Sequence, residues 1–270
     1  GAIADYTKAI ELNPKNDHSY HNRGVSREIL GKCYEAISDY IKAIEIQAGR
    51  PTSYHGVGYC KSELRDYEGA KIAFSKAIEL DPKYVSAYNN LGDAKSKLKD
   101  HYGAIAEYTK AIEINPNYAL AYYNRGNSKE ELRDYYGSIS DYTKAIEINP
   151  NDADAFNNRG IAKDELKDYY GAISDYTKAI EINPKTHSAY YNRANSKSSL
   201  LDHKGAIADY TKAIKINPNK ADLYVNRGRS YYFLNDEVSA CKDFKKAVFI
   251  GHTSTEQWLN SERGSWCTNM

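Results

Sequence analysis

The chain has 270 residues, and its 37 Lys and Arg nearly balance its 36 Asp and Glu, which leaves a formal net charge of +1. This balance argues against nucleic-acid binding through a basic excess. No apolar run reaches the length of a membrane span, and no signal-peptide pattern opens the sequence. We therefore expect neither a nucleic-acid nor a membrane partner, and the sequence indicates no particular compartment.

A period of 34 residues runs through the chain. It is marked by Pro82, Pro116, Pro150, Pro184 and Pro218. Small residues at the eighth and twentieth positions and an aromatic residue at the twenty-fourth recur in the same frame. The frame predicts a half repeat at 1–16 and a capping or partial helix at 255–270. Repeats one to seven lie between them, at 17–50, 51–84, 85–118, 119–152, 153–186, 187–220 and 221–254. Because the first residue is Gly1 and falls inside a repeat, we expect a fragment or a processed chain, whose start says nothing about targeting.

Each repeat is predicted to contain two helices, as repeat five illustrates. Phe156 and Leu166 keep a helical period in its first half. Asp168 is a candidate N-cap for the second helix, which Asn183-Pro184 is expected to end. One such helix pair cannot bury its apolar side alone, so neighbouring pairs must stack. The sequence therefore predicts an all-α solenoid of antiparallel helix pairs.

These recurring residues resemble the tetratricopeptide repeat (TPR) family, over all seven full repeats and the leading half repeat. The resemblance implies a right-handed superhelix that serves as a protein-interaction scaffold. In this family the first helix of each repeat lines a concave groove, mainly through positions 2, 5, 6, 9, 12 and 13.

The sixth position of the repeat is asparagine in six repeats and glycine, Gly56, in one. The asparagines are Asn22, Asn90, Asn124, Asn158, Asn192 and Asn226. Asparagine is not favoured inside helices, so another reason is needed. Its amide both donates and accepts hydrogen bonds. The row is therefore predicted to grip the backbone of an extended peptide, similar to the asparagine ladder of the O-GlcNAc transferase solenoid. The alternative is that each asparagine bridges to the neighbouring repeat and only fixes the superhelix.

The variable groove positions of repeats four to six are predicted to set specificity. They include Tyr123, Asn127, Glu130, Glu131, Asp154, Asp164, Glu165 and Tyr191. The acids of repeats four and five are accompanied by no Lys or Arg, which favours a peptide that carries Lys or Arg. The tyrosines could stack on its cations. The alternative is a merely solvated acidic surface. The lysine and arginine positions with which co-chaperones of the family grip a C-terminal carboxylate lack those residues here, so that activity is not expected.

Other recurring polar residues are interpreted as scaffold. The arginines at the seventh position are Arg23, Arg125, Arg159, Arg193 and Arg227. Their stems are expected to cover apolar surface and their charges to pair with acids of an adjacent helix. Asp175 and Lys178 are expected to pair on an exposed helix side. Tyr169-Tyr170 and the equivalent Tyr135-Tyr136 are expected to pack at the turn between helices, and the alternative is an exposed, adhesive tyrosine stripe on the outer side.

Signals for catalysis are absent from the sequence. It has no nucleophile elbow, no phosphate-binding glycine loop and no HExxH. His18, His21 and His55 fall on the groove side, but no fourth ligand is specified, so we predict no metal site. The four cysteines, Cys33, Cys60, Cys241 and Cys267, form no CxxC pair, so no disulfide framework is expected. We predict a protein that is not an enzyme and uses no cofactor.

The two ends suggest a second function. Residues 1–16 supply a second helix without its first, and residues 255–270 begin another repeat in frame, with Trp258 at its fourth position. The front helix of one molecule could complete the tail of the next. Such a head-to-tail contact does not close and would build a filament. The alternative to a peptide-binding scaffold is therefore a self-assembling structural protein.

Overall fold

The computed structural model describes residues 1–268, which form seventeen helices. They are α1 Ala2–Leu12, α2 Asp17–Ile29, α3 Cys33–Ile46, α4 Pro51–Glu63, α5 Tyr67–Leu80, α6 Val85–Lys97, α7 His101–Ile114, α8 Ala119–Glu131, α9 Tyr135–Ile148, α10 Ala153–Glu165, α11 Tyr169–Ile182, α12 His187–Ser199, α13 His203–Ile216, α14 Ala221–Phe233, α15 Glu237–Phe249, α16 Thr253–Leu259 and α17 Ser265–Thr268. No strand occurs in this range. The predicted all-α repeat fold is confirmed.

The chain forms two compact units, 1–134 with α1–α8 and 135–270 with α9–α17. In the first unit α2 pairs with α3, α4 with α5, and α6 with α7. In the second unit α10 pairs with α11, α12 with α13, and α14 with α15. First helices of successive repeats also touch, as α2–α4–α6–α8 and as α10–α12–α14. We call the side of each unit on which these first helices display positions 2, 5, 6, 9, 12 and 13 its first-helix surface.

In repeat five, the residues that were predicted to cap and to end the second helix do so. The Asp168 side chain accepts a hydrogen bond from the Gly171 N–H at 3.0 Å, which caps α11. Helix α11 ends at Ile182, directly before Asn183-Pro184. The same cap recurs at Asp66, Asp100, Asp202 and Asp236. Within residues 1–268, no helix is both long and apolar enough to cross a bilayer.

The turn between the two helices of a repeat adopts a left-handed backbone, with Gly31 at this position in repeat one and a non-glycine residue in repeats two to seven. Lys167 has a φ of 63°. Its N–H donates to the Asp164 carbonyl at 2.8 Å, and the Asp168 N–H donates to the Lys163 carbonyl at 2.9 Å. The equivalent residues with positive φ are Arg65, Lys99, Arg133, Leu201 and Asn235. A non-glycine residue costs about 1–2 kcal/mol in this conformation, so these paired hydrogen bonds and the packing of both helices must impose it.

The buried aromatic ring at the twenty-fourth position requires a small residue opposite it. A Cβ added to Gly160 would lie 2.6 Å from the ring of Tyr176, which is fully buried. A Cβ added to Gly56, at the sixth position of repeat two, would lie 2.5 Å from the Tyr40 ring of the preceding repeat. Gly56 is the one interruption in the asparagine series, and the Tyr40 ring occupies the space that an asparagine side chain would need there.

A buried ion pair joins three helices in repeat five. The Arg159 guanidinium donates to both Asp175 carboxylate oxygens, at 2.9 and 2.7 Å, and to the Thr143 hydroxyl at 3.0 Å. Lys163 Nζ lies 2.7 Å from Asp175, which is 3% exposed. The equivalent pairs are Arg23–Asp39, Arg193–Asp209 and Arg227–Asp243. The arginines therefore fix one repeat onto the preceding second helix, and their predicted pairing with acids is confirmed in these four repeats.

Two predictions about exposed side chains are wrong. Lys178 pairs with Glu181 at 2.7 Å rather than with Asp175, because the buried arginine holds Asp175. Tyr136 and Tyr170 are each 77% exposed instead of packed at the turn. Both lie on the outer side of a second helix, so only the first tyrosine of each pair is half-buried.

A disulfide holds the C-terminal end of the second unit. It joins Cys241 on α15 to Cys267 on α17, and α17 packs against α15 and α16. Cys33 and Cys60 are free and buried. The prediction that no framework of several disulfides is present does not conflict with this single disulfide. The sequence analysis did not, however, predict this bond. The reason is that α17 folds back onto α15, a contact that the cysteine spacing does not reveal.

We expect Arg159→Val to lower the free energy of unfolding by about 3 kcal/mol, because it removes the main partner of a buried carboxylate. Adding Asp175→Ala should recover most of the loss, since repeat two carries Val57 and Ala73 at these positions. Urea denaturation followed by circular dichroism measures both. The matched control is Lys178→Ala, which breaks an exposed pair and should cost less than about 0.5 kcal/mol. Equal losses in Arg159→Val and Lys178→Ala would contradict the assignment.

Loss of the Cys241–Cys267 disulfide should lower the stability of the C-terminal helices by about 3 kcal/mol, because 26 residues separate the two cysteines and the unfolded chain gains that loop's freedom. Tryptophan fluorescence during urea denaturation, with and without dithiothreitol, reports the change. Cys241→Ser is the control, since reductant should have no further effect on it. An unchanged midpoint in the reduced protein would contradict the prediction.

Candidate functional site

The asparagines at the sixth position bridge successive first helices. Asn124 Nδ2 donates to Asn89 Oδ1 at 3.2 Å in the first unit. Asn192 Nδ2 donates to Asn157 Oδ1 at 3.1 Å and Asn226 Nδ2 to the Tyr191 hydroxyl at 2.9 Å in the second. In every case the acceptor is the fifth residue of the preceding repeat. These amides therefore tie neighbouring repeats together, as the alternative interpretation of the asparagine row requires.

The bridges leave hydrogen-bonding capacity on the surface. An asparagine amide carries two N–H donors and an acceptor oxygen, and each bridge uses one donor. Asn192 is half-buried, so part of its amide reaches solvent. Asn22 is exposed, and Asn158 accepts from Asn157 Nδ2 at 3.2 Å. Peptide binding by these asparagines is compatible with their bridging role and stays a prediction.

The predicted acidic residues fall into two kinds. Asp154 and Glu165 are exposed near the two ends of α10. Asp164 is half-buried and accepts from the Tyr176 hydroxyl at 2.7 Å and from the Ser196 hydroxyl at 2.8 Å. Burial raises the pKa of Asp164 above its ordinary value, against these hydrogen bonds. Asp164 is therefore part of the scaffold, while Asp154 and Glu165 provide accessible negative charge.

The predicted residues of repeat four all lie on one helix of the first unit. Tyr123, Asn124, Asn127 and Glu130 are half-buried on α8, and Glu131 is exposed at its end. Helix α8 therefore carries an acidic and amide-rich surface like that of α10, within its own unit.

The ring of Tyr191 already has a cation on it. Lys220 Nζ lies 5.2 Å from its ring centroid, within the range of a cation–π contact. Its ring also lies 6.0 Å from the Tyr210 ring. The Tyr191 ring can therefore stack on a cation, as predicted. A lysine of a bound peptide would have to displace Lys220 from the ring.

His18, His21 and His55 of the first unit serve as hydrogen-bond partners. His21 Nδ1 lies 2.9 Å from the Ser53 hydroxyl, and His18 contacts Asp17. Among the described residues, no group of three His, Cys, Asp or Glu side chains is placed to hold a metal ion. His55 Nε2 lies 3.0 Å from Asn90 Nδ2, which is a donor, so this nitrogen must be the acceptor of a neutral imidazole. His55 therefore takes the place of the acceptor asparagine in repeat two.

Acidification should destabilise the protein through His55. Burial between Phe74 and Tyr84 lowers its pKa to about 4, below the ordinary 6.5. The unfolded chain therefore binds a proton first, and stability is lost as the pH falls from about 6.5 to about 4. We expect His55→Asn, which copies Asn89 and Asn157, to weaken this dependence. Urea midpoints at pH 7 and pH 5 test it, with exposed His18→Asn as the control. The same pH dependence in wild type and His55→Asn would contradict the prediction.

The comparisons with known proteins agree with this architecture. A family model described as tetratricopeptide repeat matches residues 119–152, 153–186 and 187–220. A second model, described as TPR repeat, matches 63–99 and 97–132. Together the two span more than half of the chain. No curated protein sequence matches the chain significantly.

Several solved structures share the fold. YrrB, described as a TPR protein with an unusual peptide-binding site, is 24% identical, with a TM-score of 0.61 over 70% of this chain and 98% of YrrB. MamA is 26% identical, with a TM-score of 0.59 over 62% of this chain and 97% of MamA. A tetratricopeptide repeat protein from Parabacteroides merdae is 21% identical, with a TM-score of 0.65 over 90% of this chain and 97% of that chain. With the matched repeats and the helix pairs, these findings show that the chain belongs to the tetratricopeptide repeat family.

Proposed function

We propose that this chain is a non-catalytic scaffold that binds an extended peptide segment carrying Lys or Arg on its first-helix surface. The TPR fold supports a protein-interaction scaffold, and YrrB, which shares the fold, is described as having a peptide-binding site. The preference for a basic segment rests on the residues of this chain alone.

The exposed acids of α10 carry the proposal. Asp154 and Glu165 are eleven residues apart, which is three helical turns, so they lie on one side of the helix about 16 Å apart. Asn158 is on the same side between them. An extended peptide advances about 3.3 Å per residue, so lysines about five residues apart would match the two carboxylates.

The neighbouring helix presents no competing cation at its groove positions. Helix α12 touches α10 and displays Ser188, Tyr191, Asn192, Asn195, Ser198 and Ser199 there. These are neutral polar groups that can hydrogen-bond to a peptide backbone regardless of its sequence. The acids of α10 therefore attract a basic side chain without repulsion from α12, and the asparagines and serines of α12 suit the backbone that follows it.

Self-assembly into a filament has less support from the described residues. Helix α17 and the Cys241–Cys267 disulfide already cover part of the surface of α15 and α16 on which a further helix pair would stack. At the other end, no residue of α1 is fully buried and Leu12 is 80% exposed. Light scattering across a concentration series would reveal growth if end-to-end contact nevertheless occurs.

Neutralising the two exposed acids of α10 should weaken binding of a basic peptide. The probe is a fluorescein-labelled dodecapeptide with lysines every fifth residue in a Gly-Ser background, followed by fluorescence polarisation at 0.15 M salt. We expect Asp154→Asn with Glu165→Gln to reduce its affinity about 5-fold or more, because two charge contacts are lost.

The matched control is Glu147→Gln with Glu181→Gln, which removes the same charge from exposed sites on the second helices α9 and α11. It should change affinity less than about 2-fold. Asn192→Ala distinguishes the two interpretations of the asparagines, since weaker peptide binding at unchanged stability indicates direct contact. Equal affinity for the lysine peptide and for its glutamine counterpart would overturn the proposal.

A further inference from the structure

A cavity of about 350 Å³ lies between α14 and α16 in the second unit. Val225, Tyr232 and Phe233 of α14 line it together with Phe244 of α15 and Trp258 of α16. The remaining lining residues are Arg229, His252, Ser254 and Thr255. This volume falls at the lower end of the range for ligand sites and holds one large side chain.

The aromatic walls are packed against each other in the absence of a ligand. The ring centroids of Phe244 and Trp258 are 5.0 Å apart, and those of Tyr232 and Trp266 are 5.5 Å apart. Cys267, next to Trp266, is tied to α15 by the disulfide. Nevertheless Phe233 is 64% exposed. One face of the Phe233 ring stacks on the His203 ring at 4.8 Å, so the site combines a fixed shape with aromatic surface that is only partly covered.

Arg229 is the permanently charged side chain among those that line the cavity, and Asp222, outside the lining, lies 3.4 Å from His252 Nε2. None of its nine lining residues is an acid, and Arg229 is an exposed cation on its rim. Arg229 follows Val225 by one helical turn and precedes Tyr232 by another, so it lies on the same side of α14 as the apolar wall. Arg227, in contrast, is held by Asp243. Within residues 1–268, no carboxylate forms a salt bridge with Arg229.

We propose that this cavity binds an aromatic or large aliphatic side chain of a peptide whose neighbouring residue is acidic. The apolar side chain enters between Phe233, Phe244 and Trp258, and the adjacent carboxylate pairs with the Arg229 guanidinium, which can bind it through two hydrogen bonds. Such a ligand is opposite in charge to the one proposed for α10. The proposal therefore does not rest on the basic-peptide function, and either can fail alone.

The chain carries a built-in probe for this site, because its two tryptophans, Trp258 and Trp266, both lie there. The ligand to titrate is the tryptophan-free peptide acetyl-glycyl-glutamyl-phenylalanyl-glycyl-glycinamide, with intrinsic fluorescence as the readout. We expect a saturable change. Replacing glutamate by glutamine should weaken binding about 5-fold or more, and lysine should weaken it further. Replacing phenylalanine by alanine should abolish saturation.

The variant Arg229→Gln tests whether Arg229 causes the preference for the glutamate peptide. This exposed substitution should leave weak binding through the apolar wall and make the glutamate and glutamine peptides equal in affinity. The matched control, Arg263→Gln, removes an exposed arginine that does not line the cavity, and it should preserve the preference. Phe233→Ala, which also changes an exposed side chain, should lower the affinity for the glutamate and glutamine peptides by the same factor.

Three results would overturn the proposal. The first is a fluorescence signal that does not change up to millimolar peptide. The second is equal affinity of wild type for the glutamate, glutamine and lysine peptides. The third is loss of the preference in Arg263→Gln as well as in Arg229→Gln.

Discussion

In four repeats the seventh-position arginine pairs with the aspartate at position 23 of its own repeat and bonds a threonine of the preceding second helix, so it joins neighbouring repeats. In repeat five, Arg159 bonds Asp175 of α11 and Thr143 of α9 from its place on α10, so one guanidinium holds three helices. It also lies over the Phe156 ring at 5.4 Å. A charge this buried is stable only when its geometry is complete, because desolvation otherwise outweighs the ion pair. In the repeats that carry it, the arrangement therefore favours one way of docking the repeat onto the preceding second helix.

The first-helix surface is a consequence of that docking. Once α10, α12 and α14 lie side by side, the fifth and sixth residues of successive repeats meet and form the amide bridges. Their groove positions then change in character along the second unit. Helix α10 is acidic, α12 is neutral and polar, and α14 carries Arg229 beside Tyr232 and Phe233. A partner that followed this surface would meet exposed acids on α10 and the exposed Arg229 on α14.

Part of this chemistry is also visible in the sequence. Every repeat with arginine at position 7 has aspartate at position 23, whereas Val57 is accompanied by Ala73 and Leu91 by Glu107. This correlation among the repeats agrees with the ion pair in the structure, whereas the i,i+3 spacing alone assigned Asp175 to Lys178. The tyrosine at position 24 also has a polar partner on the first helix of its repeat. The Tyr176 hydroxyl, for example, donates a hydrogen bond to the Asp164 carboxylate. This hydrogen bond explains why tyrosine is used at a fully buried position.

The sequence by itself determined the helix pairs, their caps and the family, because these depend on residues within one period, such as Asp168 and Pro184. Only the tertiary structure decided which polar side chains remain accessible. Asp164 and Glu165 are neighbours in the chain, yet one is held by a buried tyrosine and the other faces solvent. The Cys241–Cys267 bond and the cavity beside it likewise depend on how α16 and α17 fold back onto α15. Contacts between residues far apart in the chain depend on packing, which a repeating pattern does not record.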